Sequence, residues 1–166
     1  MRKRHLLALL AAAPLAACGF RLRGMPQLPF RTLYIQGEAA EPLVQELRET
    51  VLRTAPAVAL LSEAGQRDQA DAVLVLLPTQ RERAIVGLTA AGQVRELQLR
   101  LRQRFALLGQ GGREWIADTE LRQSRDVSYS ETVALAKEEE EALLFRDMQT
   151  DLVQQLLRRL AMAKPR

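Results

Sequence analysis

The chain carries one cysteine, Cys18, and one histidine, His5, among 166 residues, and both fall within its first eighteen positions. Everything beyond Cys18 therefore lacks imidazole and thiol and cannot form an internal disulfide. Ser-His-Asp and Cys-His catalysis are excluded there, together with nearly every zinc site. Lysine is almost as scarce, because Lys3, Lys137 and Lys164 stand against 21 arginines. Aromatics make up only 4% of the chain, with a single tryptophan, Trp115. No apolar run reaches the roughly 20 residues of a bilayer-spanning helix. The stretch from Leu6 to Ala17 stops at twelve.

What the N-terminus does contain is a basic head, Met1-Arg2-Lys3-Arg4-His5, that short apolar centre, and then Leu15-Ala16-Ala17-Cys18-Gly19. This is the pattern of a secretory signal peptide, here residues 1–17. A cysteine sits where the mature chain begins, which resembles the lipobox of bacterial lipoproteins. That resemblance implies cleavage before Cys18 and a covalent lipid on it, the only cofactor-like group expected. By resemblance to the lipoprotein sorting rule, Gly19 rather than aspartate after the cysteine implies sorting to the outer membrane. Two or three acyl chains anchor a protein far more firmly than one. Without residues 1–17, 21 bases face 20 acids over 149 residues, so the whole-chain charge of +4 overstates how basic the working protein is. A nucleic-acid partner is excluded on this ground.

Residues 18–30 hold two glycines and two prolines and read as a lipidated tether. Residues 31–163 follow as one domain, and 164–166 as a tail. Thr32 to Gln36 reads as a strand. Pro42 opens a helix whose stripe is Leu43, Leu47 and Val51, with Val44 and Leu52 beside it, and Pro56 ends it. Val58 to Leu61 reads as an extended lead-in, and Ala72 to Leu77 as a strand with its edge or a bulge at Pro78. Gln80 to Leu88 weakly continues that strand. From Val94 to Leu108, Leu97, Leu99, Leu101, Phe105 and Leu107 alternate with Glu96, Gln98, Arg100, Arg102 and Arg104. One face is buried and one is polar, as in a sheet covered on one side. Gly109 to Gly112 supplies a hairpin turn, and Glu114 to about Arg125 the returning strand. A long amphipathic helix spans roughly 132–162, with Leu144, Met148, Leu152, Leu156 and Leu160 in step. The expected fold is an α+β two-layer sandwich, with two helices on one face of a mainly antiparallel four-stranded sheet.

No constellation of an enzyme emerges. Glu138 to Glu141 occupy consecutive helical positions and diverge around the axis, as a solvated first part of the helix does. Ser128, Tyr129 and Ser130 near Lys137 lack S-x-x-K spacing and read as turn and cap residues. Lys137, the one lysine inside the fold, is spaced to pair with Glu141. Arg100, Arg102 and Arg104 offer forked donors for phosphate or carboxylate, or pair with Asp118 and Glu120 across a solvated sheet face.

Three stretches together resemble the lipopolysaccharide-assembly lipoprotein LptE family. They are Cys18 to Gly24, Ala91-Gly92-Gln93 leading into Arg95 to Leu99, and Leu135-Ala136-Lys137-Glu138 with the helix from Asp147 to Leu160. The resemblance implies a plug and assembly partner inside the lumen of an LptD-like outer-membrane β-barrel, which delivers lipopolysaccharide to the cell surface. It also implies lipopolysaccharide binding through Lys137. A second basic family position falls on Ala90 or Ala91 here, leaving Arg95, or Arg100 and Arg102, to compensate. The implied location is the outer membrane, lipid-anchored, periplasm-facing and within the barrel lumen. Two rival readings are a free-standing lipid-binding shuttle and a tethered activator of a periplasmic enzyme.

Overall fold

The computed structural model describes residues 27–129 and 134–164. The signal peptide, Cys18, most of the tether and Ser130 lie outside the described residues. Eight regular elements follow in order: β1 (Thr32–Gln36), α1 (Pro42–Thr54), β2 (Ala59–Leu61), β3 (Ala72–Leu76), β4 (Gln80–Leu88), β5 (Val94–Gly109), β6 (Glu114–Ser128) and α2 (Ala134–Ala161). Short 3-10 turns at Ala64–Gln69 and Gln110–Gly112 join them.

The two-layer α+β architecture holds, but the sheet has six strands and is mixed rather than four-stranded and mainly antiparallel. β1 runs parallel to both of its neighbours, β2 and β3. Parallel neighbours need a crossover, and α1 supplies the one between β1 and β2. The expected lead-in at Val58 to Leu61 is thus largely a strand, three residues long. The other additional strand comes from a break. β3 and β4 lie end to end along one edge of β5, both antiparallel to it, separated by Leu77-Pro78-Thr79. Proline cannot donate to the ladder, so one long strand becomes two.

Gln103 repairs that gap. It falls on the apolar face of β5, between Leu101 and Phe105, and is 1% exposed. Its Nε2 donates to Leu77 O at 2.6 Å and to Arg104 O at 2.9 Å, and its Oε1 accepts from Thr79 Oγ1 at 2.7 Å. A buried amide so completely bonded replaces the lost ladder.

Both helices cover the same face. Leu43, Val44, Leu47 and Val51 of α1 are buried, as are Met148, Leu152, Val153, Leu156 and Leu160 of α2, joining Leu99, Leu101, Phe105 and Leu107 in one core. Leu52, placed beside the apolar stripe from sequence, is 60% exposed. It lies one residue past Val51, turned off the buried stripe. At the far end, β6 bulges opposite Phe105 to Leu108, and the Trp115 indole lies against Gly109. The Gly111 and Gly112 backbones, at φ 73° and 77°, close that hairpin in the left-handed region.

Candidate functional site

The four basic residues picked out from the sequence fall into two places, the middle and one end of the β5–β6 pair. Arg100 and Arg102 stand on the face of β5 that no helix covers, where Glu82 of β4 engages both, at 3.4 Å and 2.5 Å. With Gln98, Arg122 and Ser124 they line a shallow concavity of about 410 Å³. Arg102 and Arg122 are direct cross-strand partners, and Arg122 pairs with Glu120 on its own strand. Arg104 pairs with Asp118. Of the partners expected for a solvated face, Asp118 takes Arg104, whereas Arg100 and Arg102 pair with Glu82 rather than with Glu120. Arg104 is held charged beyond its ordinary range by the Asp118 hydrogen bond.

Arg95 and Lys137 both lie near Ser128 at the other place, the end of the sheet beside the β4–β5 turn. The ladder there continues past β6, since Tyr129 N donates to Arg95 O at 2.8 Å. Ser128, opposite Glu96, links the two cations. It shares with Arg95, Gly87, Leu88, Glu96 and Asp126 a concavity of about 400 Å³. Its hydroxyl also stands 3.4 Å from Lys137 Nζ. The expected Lys137–Glu141 pair does not form. Lys137 Nζ donates instead to Glu140 Oε2 at 2.6 Å. Ala90 and Ala91 occupy the turn itself, which Gly92 closes at φ 80°.

Glu141 is absent from that pairing because it turns inward. Glu138 to Glu140 are exposed as expected, but Glu141 is 5% exposed and takes Arg83 Nη2 at 2.5 Å. The Glu141 hydrogen bond holds the Arg83 guanidinium charged beyond its ordinary range. One strand pair further on, Arg81 lies 5.5 Å over the Phe145 ring and donates to Gln149 Oε1. Gln149 Nε2 passes the connection to Glu46 of α1 at 2.8 Å. Sequence reading missed Arg81, Arg83 and Glu141 as a group. The signal available was parity: Arg81 and Arg83 pair with Leu101 and Leu99, on the helix side of the sheet.

The same end exposes aliphatic side chains. Ile85, Val86 and Leu88 are 60%, 47% and 58% exposed, around a register shift in β4. Cations beside exposed aliphatics suit an amphiphile with an anionic head. Among the described residues no group of carboxylates, histidines or cysteines is arranged to hold a metal. No helix among them is long and apolar enough to cross a membrane.

At the opposite end, Asp71 ties the incoming chain to the sheet. Its carboxylate accepts from Arg31 N and Thr32 N, both at 3.0 Å, and Thr32 Oγ1 accepts from Asp71 N at 2.7 Å. The Arg31 amide, more than the other donors, keeps that carboxyl below its usual range. Phe30 packs its ring 6.2 Å from that of Trp115 beside it.

Solved structures share this arrangement. A solution structure of an uncharacterized lipoprotein B from Nitrosomonas europaea is 30% identical with a TM-score of 0.72, covering 86% of this chain and 90% of that one. The rare lipoprotein B of Shewanella oneidensis, 24% identical, gives a TM-score of 0.66 over 78% of this chain and 93% of its own. A minor lipoprotein of Acinetobacter baumannii, also 24% identical, gives 0.62 over 83% and 99%. These last two show the fold alone. No curated protein sequence matches the chain. The sequence profile of the family described as LptE, lipopolysaccharide-assembly, matches residues 30–160, so the chain belongs to the LptE family.

Proposed function

We propose that this protein is the lipid-anchored plug and assembly partner of an LptD-like outer-membrane β-barrel, and that it binds lipopolysaccharide at the β4–β5 end. Cys18 carries the anchor and the domain sits in the barrel lumen, facing the periplasm. The observation that supports the binding site most is the placement of Lys137 and Arg95 around Ser128, on the end that exposes Ile85, Val86 and Leu88. Lipid A presents phosphates next to acyl chains, and this end presents ammonium and guanidinium next to aliphatics. A phosphate competes with the Glu140 carboxylate, whose side chain is 49% exposed, for the Lys137 ammonium, whose side chain is 18% exposed.

Arg100 and Arg102 stand apart from this set, and their charge-matched face is assigned to the polar inner wall of the barrel. Residues at such a wall need no active site, and the domain acts by occupying the lumen and steadying the barrel as it folds. A free-standing shuttle needs an apolar cavity, whereas the apolar sheet face is filled by α1 and α2.

The test is binding of fluorescent lipopolysaccharide to the Lys137→Gln/Arg95→Gln protein. Loss of charge-assisted hydrogen bonds is expected to weaken binding on the order of 10- to 100-fold. Unchanged affinity would overturn the site. Purification from outer membranes is expected to bring down a stoichiometric barrel, and Cys18→Ala to release the protein from the membrane. A free monomer in that purification would overturn the plug.

A further inference from the structure

We infer that Arg83 is a positioning residue that keeps Lys137 open to an anionic ligand by holding Glu141 away from it. This rests on the proposed binding role of Lys137. Lys137 and Glu141 are one helical turn apart on the same face of α2, the spacing at which opposite charges pair. Glu141 is also the more demanding partner, because its carboxylate is buried and an uncompensated buried charge is strongly unfavourable. Left to the helix alone, Lys137 would bend to Glu141. Arg83 takes that place from the neighbouring strand, with Nη2 2.5 Å from Glu141 Oε2.

The placement of Arg83 is enforced by its surroundings. Register puts it opposite Leu99, on the helix side of the sheet. Two residues earlier, Arg81 is fastened to α2 through Phe145 and Gln149, bracing β4 against the helix. Glu138 adds attraction for the Arg83 guanidinium from the same end. Lys137 is then left with Glu140, whose side chain is 49% exposed, and with the Ser128 hydroxyl. The Lys137 side chain is 18% exposed, and its ammonium is shared between these two groups rather than with the buried Glu141.

The experiment uses the purified chain and labelled lipopolysaccharide, with Arg83→Gln, Glu141→Gln and the double variant. Arg83→Gln orphans Glu141, which recruits Lys137, so affinity is expected to fall about 10-fold, close to the loss of one charge-assisted hydrogen bond. The double variant removes the recruiting carboxylate and is expected to regain wild-type affinity. A double variant as weak as Arg83→Gln would overturn the inference, because Arg83 would then be contacting the ligand itself. A second readout needs no ligand. With three lysines in the chain, the Lys137 ammonium resonance is assignable by Lys137→Gln. It is expected to shift in Arg83→Gln and to return in the double variant, and no shift would overturn the inference. If the resonance shifts while lipopolysaccharide affinity stays constant in every variant, the competition for Glu141 stands and the Lys137 ligand site fails.

Discussion

Replacing Gln103 by leucine tests whether the broken strand is held together by one side chain. Leucine matches the volume of glutamine closely and, on hydrophobicity alone, belongs at a position 1% exposed between Leu101 and Phe105. The substitution removes the donors to Leu77 O and Arg104 O and the acceptor for Thr79 Oγ1. Arg104 O keeps Leu77 N as a donor at 3.1 Å, so it loses least. Leu77 O and the Thr79 hydroxyl lose a partner in a part-buried gap, at about 1–3 kcal/mol for each group left unsatisfied. Better burial of leucine recovers part of this, roughly 1–2 kcal/mol. The expected net is a destabilisation of about 2 kcal/mol, or roughly 5–10 °C in Tm for a domain of this size. Urea unfolding measures the first and a thermal scan the second. Amide exchange should quicken first at Leu77 and Thr79, where the strand is broken. A Gln103→Leu protein as stable as wild type would refute the reasoning, since the glutamine would then be a buried polar group with no structural task.

Three further outcomes are expected. In Gly109→Ala the new methyl falls 2.1 Å from Trp115 Nε1, so the indole must move; overpacking should cost about 1–3 kcal/mol and shift the emission of the sole tryptophan, and an unchanged spectrum and stability would contradict the packing. Asp71 has a folded pKa below its unfolded value near 3.9, so its contribution is present above about pH 4 and fades as pH falls through the folded pKa. The stability gap between wild type and Asp71→Asn should therefore be present at neutral pH and close in acid, and a constant gap would refute the assignment. Arg104→Gln removes a pair whose side chains are 49% and 50% exposed, so the urea midpoint should be nearly unchanged, and any difference should vanish in salt; a marked, salt-independent loss would show the pair to be structural.

Several of these positions were legible in the sequence and others were not, for identifiable reasons. The alternation of Leu97, Leu99 and Leu101 with Gln98, Arg100 and Arg102 announces a sheet covered on one face, because side chains along a strand alternate without reference to the neighbours. The glycines of the β5–β6 turn and Pro42 at the start of α1 act through their own backbones, so they too are readable locally. Gln103 was visible only as an interruption in an apolar row; its meaning needs Leu77 and Thr79, about 25 residues away. The same holds for Glu141. Four successive glutamates look alike in one dimension, and only the approach of Arg83 from β4 decides which of them turns inward. Pairing direction was misjudged for the same reason: the pattern of β1 does not say that β2 and β3 run parallel to it.

By itself, the sequence determined the chemistry that is missing beyond Cys18, the alternation and helical periodicity that make a two-layer α+β domain, and the family to which its motifs point. Those depend on residue identity and on spacing along one element, which local geometry translates directly. Tertiary structure alone decided that Arg95 and Lys137 both lie beside Ser128 at one end of the sheet while Arg100 and Arg102 lie further along it, and that Glu141 turns inward to Arg83. These depend on which strand end adjoins which helix turn. The Arg83–Glu141 pair is set by that long-range register, and no spacing along the chain encodes it.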